Sequence, residues 1–399
     1  MMSHNRFKSF VGFFFGTVLS TFLGVSALHV INKNLEPYEL GVFSYNYNLL
    51  QLLYPLISLS IYTSYIRFIN ESPVKDLINY VRKVSVCGVI IMSSGIYFFS
   101  REEEWLLFSI IILLQERLYL YKALNRIGYY NLINVFQKII LLILLFFTNN
   151  LNAKNVIFCY SLSFLLSWLL SLSLIKLNRE VTRENSKVLT FKKNKILRYT
   201  LLSSIMTGVT WVSSFSDQYV IKYYFGFEEL APYAVAFRLV SVISIATSIF
   251  LSYFPIIYFE DANKKIYSSI KRYRFGFFIS LAMLYVFCYF TYEYIYILLG
   301  AGDYIEEHRY FFILLIGEIF RVLASTYMIY FTYRLKQGFI LFSMTIISIL
   351  NLLLNVILIP KFGPISAAFT TVFSYFIYFI ISLRCYFLER RYFLTIDEV

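Results

Sequence analysis

Long stretches without a charged side chain recur along the whole chain. Nine of them are about as long as the roughly 20 apolar residues that a helix needs to cross the hydrocarbon core of a bilayer. They are residues 9–32, 40–66, 84–100, 155–175, 199–216, 239–259, 275–292, 337–360 and 362–383. Three weaker stretches, at about 104–124, 132–149 and 309–333, carry a few charges. Because polar and apolar residues do not alternate, barrel strands are excluded, and the pattern predicts twelve transmembrane helices.

Composition places the chain in the same class. Of its 399 residues, 59% are hydrophobic and only 15% are charged, and the mean hydropathy is +0.66. A soluble domain carries roughly 25% charged residues, so a soluble enzyme and a disordered protein are excluded. The four cysteines have no paired spacing, and no nucleotide-binding, zinc-protease or nucleophile motif is present. We therefore expect no enzyme activity, no catalytic residue, no metal ligand and no cofactor.

The connectors between the apolar stretches differ in charge. Most of the 36 Lys and Arg residues lie in alternate connectors, notably 176–198 and 264–274, whereas the connectors between them are acidic. Loops on the cytoplasmic side of a membrane retain Lys and Arg, so this alternation predicts that both termini are cytoplasmic. It also accounts for the net charge of +13 without a nucleic-acid partner.

The two halves of the chain resemble each other. Glu39-Leu40-Gly41-Val42-Phe43 opens the second stretch, and Glu229-Leu230-Ala231-Pro232-Tyr233 opens the eighth. Six spans return the chain to its starting side, so the halves are expected to have the same orientation. We predict an N-terminal six-helix bundle (1–178), a basic cytoplasmic linker (179–198) and a C-terminal six-helix bundle (199–399). A pseudo-two-fold axis along the membrane normal would relate the two bundles, an arrangement typical of transporters.

Three segments carry a more specific signal. One contains Asn351, Asn355, Pro360, Gly363 and Ala367-Ala368, another contains Ser216-Asp217, Lys222, Gly226, Pro232-Tyr233 and Arg238-Leu239, and the third runs from Glu39 to Phe68. They resemble spans eleven to twelve, seven to eight and two of the polysaccharide-export flippases (Wzx type). That family belongs to the multidrug/oligosaccharidyl-lipid/polysaccharide exporter (MOP) superfamily.

This resemblance implies a function. Such a flippase moves undecaprenyl-diphosphate-linked oligosaccharide repeat units from the cytoplasmic to the outer leaflet of the bacterial inner membrane. The product serves the synthesis of O-antigen, the polysaccharide of lipopolysaccharide, or a related surface polysaccharide. The implied partners are the lipid-linked oligosaccharide, membrane lipids, a polysaccharide polymerase and a chain-length regulator.

Cations near or within the predicted spans are the candidate substrate-binding residues. They are Arg238, Lys138, Arg321 and Arg67. A charge inside a span usually faces a cavity or a partner, and guanidinium groups suit phosphate oxygens. The structural alternatives are ion pairing for Arg238 and Arg321, and anchoring at lipid headgroups for Lys138 and Arg67.

Acidic residues in the spans favour pairing or ion coupling. Glu318 and Arg321 are three residues apart, so they share a helix face and can form an ion pair, with a gating or proton-coupling role as the alternative. Asp217 can pair with Lys222 or Arg238, or bind a coupling proton or sodium ion. These three residues, Asp217, Lys222 and Glu318, are the candidate coupling or ion-pair residues.

Two other functions remain open at this point. A multidrug cation antiporter of the same superfamily would use acidic residues and apolar surface in its cavity. A membrane polysaccharide polymerase or ligase would need a long outer loop with catalytic residues, and the outer connectors here are short. The flippase is therefore the first hypothesis, with alternating access of two bundles around a basic cavity as its mechanism.

Overall fold

A computed structural model describes residues 4–69, 72–99, 103–174, 191–263, 267–334 and 336–394. These residues are almost entirely helical and contain no strand, so the all-α prediction is confirmed. The chain forms two compact units, Met1–Gly208 and Val209–Val399. Most of the predicted linker 179–198 lies outside the described residues, which resume at 191.

Among the described residues, the N-terminal unit contains seven complete α-helices, two 3-10 helices and the first part, 193–208, of an eighth α-helix. The complete helices are α1 (His4–Asn34), α2 (Pro37–Ile57), a 3-10 turn (Ile61–Thr63), α3 (Ser64–Phe68), α4 (Val74–Phe99), a 3-10 helix (Glu103–Ile110), α5 (Ile111–Ala123), α6 (Ile127–Phe147) and α7 (Ala153–Ser173).

The second predicted span is broken. Pro55 has no backbone N–H, and Leu59 and Ser60 both adopt positive φ angles, of 52° and 46°. The backbone N–H of Ser60 donates to the Pro55 carbonyl at 2.7 Å, and this hydrogen bond stabilises the turn that ends α2. As a result, α2 and the segment Ile61–Phe68 are bent by 60° relative to each other.

Helix α8 (Lys193–Asn263) contains the seventh and eighth predicted spans. Its helical pattern is interrupted at Gly226, which has φ 86° and ψ −173°. This backbone conformation is open essentially to glycine alone. Gly226 therefore divides α8 into a first arm (residues 193–225) and a second arm (residues 227–263), and the boundary of the two units falls within the first arm.

The C-terminal unit continues with four further α-helices and a short 3-10 helix among the described residues. They are α9 (Tyr267–Leu298), the 3-10 helix (Gly302–Glu307), α10 (His308–Tyr333), α11 (Gln337–Phe362) and α12 (Ile365–Leu394). Gly363, at φ 79°, ends α11 and starts the tight connection to α12.

Each of the twelve predicted spans coincides with a helical segment of the described chain, which is bent in the second span. Among the described residues, eight helices are long and apolar enough to cross a membrane, and the bent pair of α2 and the segment Ile61–Phe68 makes a ninth. The other three helical segments are the two arms of α8 and the segment 103–123. This last segment carries Glu116, Arg117 and Lys122 and starts as a 3-10 helix, and the first arm is rich in Ser and Thr.

Candidate functional site

An ion pair lies near the middle of α10 in the C-terminal unit. Arg321 donates from Nε to Glu318 Oε2 at 2.6 Å and from Nη2 to Glu318 Oε1 at 2.5 Å. Their spacing of one helical turn brings the fork of the guanidinium onto both carboxylate oxygens. The Arg321 side chain remains 33% exposed, whereas that of Glu318 is 12% exposed. The cation of the pair is therefore accessible from the adjoining space.

Two adjoining cavities meet at Arg321. One has a volume of about 200 Å³ and touches Glu318, and the other has a volume of about 70 Å³. Arg321, Ser214 and Tyr375 line both of them. The larger cavity is also lined by Phe215, Phe237, Val240, Ser241, Ser244, Leu314 and Thr371, and the smaller one by Thr210, Ser213, Met344, Ile347, Ser348 and Tyr378.

The polar lining comes largely from one face of the first arm of α8. Thr210, Ser213 and Ser214 line the cavities, and Asp217 follows at the same helical spacing. On a soluble helix, this spacing would carry the apolar residues of a core. Here it carries hydroxyl groups and a carboxylate inside an apolar chain, so this face can offer hydrogen bonds within the cavities.

Asp217 is buried immediately behind the larger cavity. It accepts hydrogen bonds from the Tyr233 hydroxyl, from the backbone N–H of Gln218 at 2.7 Å and from Thr371 Oγ1 at 3.4 Å. Thr371 also lines the cavity, so a single side chain separates the carboxylate from that space. No Lys or Arg of the described residues pairs with Asp217; the pairings with Lys222 and Arg238 considered from the sequence are not formed.

A chain of polar side chains links Asp217 to α11. Asn351 accepts from Ser216 Oγ at 3.4 Å and donates to Thr371 Oγ1 at 3.4 Å. Asn355 donates to Asn351 Oδ1 at 3.0 Å and accepts from Thr370. All of these side chains are buried. Sequence reasoning used Asn351 and Asn355 only as marks of resemblance. Asn351 and Asn355 are four residues apart, and this spacing predicts that they lie on one face of the helix and can form a hydrogen-bond network.

Lys138 occupies a different position, in the N-terminal unit. It lies in α6, with Nζ 6.0 Å from the ring centroid of Tyr160 and its stem near Gly24. No carboxylate of the described residues pairs with it. A half-buried ammonium group beside an aromatic face is stabilised by the ring quadrupole.

The remaining candidate cations do not line the cavities beside Arg321. Arg238 is half-buried in the second arm of α8. Arg67 is exposed near the end of α3, 5.7 Å from the ring of Phe68. Lys222 lies 5.3 Å from the ring of Phe227. Of the seven candidate residues, the structure therefore brings Glu318 and Arg321 together, with Asp217 nearby behind Thr371.

The cavities offer contacts suited to reversible binding. Within the described ranges, no group of three or more His, Cys, Asp or Glu side chains is placed to hold a metal ion. The cavities offer aromatic rings, hydroxyl groups and one ion pair whose partners can be exchanged.

Comparison with known proteins shows the fold. No protein-family model matches the sequence, and no curated protein sequence matches it significantly. The chain is similar to a multidrug resistance MATE family transporter of the MOP superfamily in its inward-facing conformation, with 12% identity, a TM-score of 0.73 and coverage of 95% of this chain and 96% of that chain.

Two further solved structures are similar over nearly the whole chain. The outward-facing conformation of a multidrug resistance MATE family transporter gives 13% identity and a TM-score of 0.68, covering 98% of this chain and 95% of that chain. A MOP superfamily transporter from Pyrococcus furiosus, whose binding pocket of reverse polarity suggests a different function, gives 12% identity, a TM-score of 0.68 and the same coverage. The chain therefore has the fold of the MOP superfamily transporters, a multi-pass membrane fold.

Proposed function

We propose that the protein is a secondary transporter that exports an amphipathic organic cation in exchange for a proton or a sodium ion. The fold supports a transporter, because its structural neighbours are MATE multidrug transporters. The observation that carries the proposal is Asp217, a buried carboxylate without a cationic partner among the described residues, one side chain away from the cavity at Glu318.

Asp217 is suited to hold the coupling ion. A buried carboxylate is costly in an apolar unit, and an incoming proton or sodium ion removes its charge. Tyr233, Thr371 and Gln218 all donate to the ionised carboxylate, so neutralisation weakens each of these hydrogen bonds. Thr371 belongs both to this set and to the cavity wall, so occupation of Asp217 changes the surface that the cargo meets.

The cavity offers a cationic cargo two kinds of contact. Phe215, Phe237 and Tyr375 provide aromatic faces, which attract organic cations. Glu318 provides a carboxylate whose present partner, Arg321, is partly exposed and held by two hydrogen bonds. A cargo that displaces Arg321 from Glu318 gains an ion pair, and its release restores the internal one.

The flippase of lipid-linked oligosaccharide is the second candidate function. It is favoured by Lys138, a half-buried cation without a carboxylate partner among the described residues, and by the exposed part of Arg321. A diphosphate would bind by displacing Glu318 from Arg321, the reverse of the exchange above. In this role the polyprenyl tail would stay in the lipid, with the surface polysaccharide polymerase and the chain-length regulator as partners in the bacterial inner membrane.

Transport by purified protein in liposomes separates the two candidates. One set of vesicles is filled with the dye ethidium. Another set carries an undecaprenyl-diphosphate-linked oligosaccharide in one leaflet. A proton or sodium gradient is then imposed on both sets. We expect gradient-dependent movement of ethidium. Movement of the lipid-linked oligosaccharide without movement of ethidium would favour the flippase instead.

A further inference from the structure

A crevice of about 330 Å³ opens at the start of α9, on the other side of α10 from the ion pair. Its wall contains two cations, Lys271 and Arg274, together with the aromatic residues Phe275, Phe278 and Tyr327. Lys271 and Arg274 are one helical turn apart, so their positions differ by about 4.5 Å along the axis of α9. The two cations can therefore reach a single bound group.

Arg274 is held in place by three groups. Its guanidinium donates from Nη1 to Glu389 Oε2 at 2.5 Å, and from Nη2 to Glu389 Oε1 at 3.2 Å and to the Thr326 carbonyl at 3.0 Å. It also stacks on Tyr327, with its central carbon 4.5 Å from the ring centroid. The side chain is 6% exposed, so the guanidinium presents one fixed orientation.

One donor of this fixed guanidinium has no acceptor. Arg274 Nε is buried and forms no hydrogen bond with any of the described residues. An unsatisfied buried N–H group is unfavourable by roughly 1–3 kcal/mol, and more where the donor is charged. Arg274 lines the crevice next to Lys271, so an anion in the crevice lies beside this incompletely hydrogen-bonded guanidinium.

The surroundings identify the kind of molecule that carries the anion. Phe275 and Phe278 flank the two cations and are 65% and 51% exposed. In a membrane protein, such exposed rings face lipid, so the crevice opens toward the bilayer. The start of α9 also carries Arg272 between Lys271 and Arg274, and clustered basic side chains of this kind are typical of the interface with anionic headgroups. A lipid with its acyl chains along Phe275 and Phe278 places its phosphate beside Lys271.

We propose that the crevice formed by Lys271, Arg274, Phe275, Phe278 and Tyr327 binds the phosphate of an anionic membrane phospholipid. A phosphate oxygen accepts from Lys271 Nζ, and the Arg274 guanidinium lies beside it in the crevice wall. The site lies wholly within the C-terminal unit and does not include Arg321, Glu318 or Asp217. The proposal therefore stands independently of the transported cargo.

Native mass spectrometry of the full chain tests this site. The protein is released from nanodiscs that contain equal amounts of phosphatidylglycerol and phosphatidylcholine, and the lipid retained by each variant is counted. We expect one phosphatidylglycerol molecule per chain, and about tenfold weaker retention in Lys271→Gln, the change expected for one charge-assisted hydrogen bond. Arg272→Gln is the matched control, because Arg272 is exposed on the same turn and does not line the crevice.

Three results would overturn the proposal. Equal loss of lipid in Lys271→Gln and Arg272→Gln would show diffuse attraction to the basic surface. Equal retention of the two lipids by the unchanged protein would show that no anionic headgroup is selected. Displacement of the lipid by millimolar inorganic phosphate would assign the site to a soluble anion. Phe275→Ala, which leaves both cations in place, is expected to lower retention of long-chain phosphatidylglycerol more than that of a dihexanoyl analogue.

Discussion

Arg321 contacts both carboxylate oxygens of Glu318 from the next turn of α10, at 2.6 and 2.5 Å. A bidentate pair of this kind fixes both side chains, yet the Arg321 side chain is still 33% exposed to the adjoining cavities. The pair therefore neutralises two charges within an apolar helix and remains open to exchange. In the proposed function either partner binds a cargo, and the sign of the cargo's charge decides which partner is released.

Breaking this pair from one side is expected to destabilise the protein. Arg321→Ala leaves the less exposed Glu318 without its partner. We expect the unfolding free energy to fall by about 1–2 kcal/mol, less than for a fully buried pair, because solvent reaches the Arg321 side chain. Adding Glu318→Gln to that variant should recover most of the loss, because no charge then remains. Unfolding in mixed detergent, analysed as a double-mutant cycle, measures the coupling; additive effects would show that the two side chains do not interact.

Glu389 on α12 is a further buried carboxylate of the C-terminal unit, and it is paired with a cation. Glu389 accepts from the Tyr258 hydroxyl and from Arg274, and both Tyr258 and Glu389 are fully buried. Glu389→Ala should lower the unfolding free energy by about 3–5 kcal/mol, because it leaves Arg274 as an uncompensated buried charge. Tyr258→Phe removes one donor and should cost about 1 kcal/mol.

Tyr292→Phe is the control for the tyrosine substitution. Its hydroxyl bonds to Glu293 at 3.2 Å on the surface, so its removal should leave the unfolding midpoint unchanged. If Tyr292→Phe and Tyr258→Phe shifted the midpoint equally, the buried network around Glu389 would not contribute to stability.

Gly226 divides α8 into two arms, and its backbone conformation predicts intolerance to substitution. At φ 86° and ψ −173°, any side chain is strained, although nothing lies within 4 Å of the position of an added Cβ. Gly226→Ala should therefore destabilise the protein by about 1–3 kcal/mol through the backbone alone. Gly338→Ala, in the first turn of α11 and also with open space, should be neutral or slightly stabilising. Thermal unfolding in detergent compares them; equal midpoints would contradict the strain at Gly226.

Lys138 distinguishes the cargo of the exporter from that of the flippase. If the cargo is an organic cation, an ammonium group beside Tyr160 does not bind it, and Lys138→Gln should keep ethidium efflux within about twofold of the unchanged protein. Lys33→Gln, at the exposed end of α1, controls for the loss of one positive charge. Loss of ethidium efflux in Lys138→Gln alone would show that the N-terminal unit contributes to the cation path.

The sequence was sufficient to predict the spans because the bilayer imposes a length. A run of about 20 apolar residues has few other structures available to it in lipid, so even the charged stretch 309–333 was placed correctly as α10. The pairing geometry of Glu318 and Arg321 was also predictable, since three residues of helix place two side chains on one face. Both inferences are local: each needs only the geometry of one helix.

The surroundings of Asp217 were not predictable in this way. Its donor Tyr233 is 16 residues away, and Thr371 is 154 residues away on α12. Nearby cations, Lys222 and Arg238, were the obvious partners by sequence distance, but neither pairs with it in the structure. The break after α2 was equally hidden, because the positive φ angles fall on Leu59 and Ser60, residue types that carry no signal for that conformation.

Gradient-driven efflux by the Asp217→Asn variant is the most direct measurement of the proposed mechanism. Asparagine keeps the size of the side chain and can still accept from Tyr233 and Thr371, but it cannot take up a proton or pair with sodium. We expect liposomes with the unchanged protein, and with the surface control Asp303→Asn, to release ethidium when a proton or sodium gradient is imposed, and those with Asp217→Asn to release none above background. Equal gradient-driven release by Asp217→Asn and the unchanged protein would contradict a coupling role for this carboxylate.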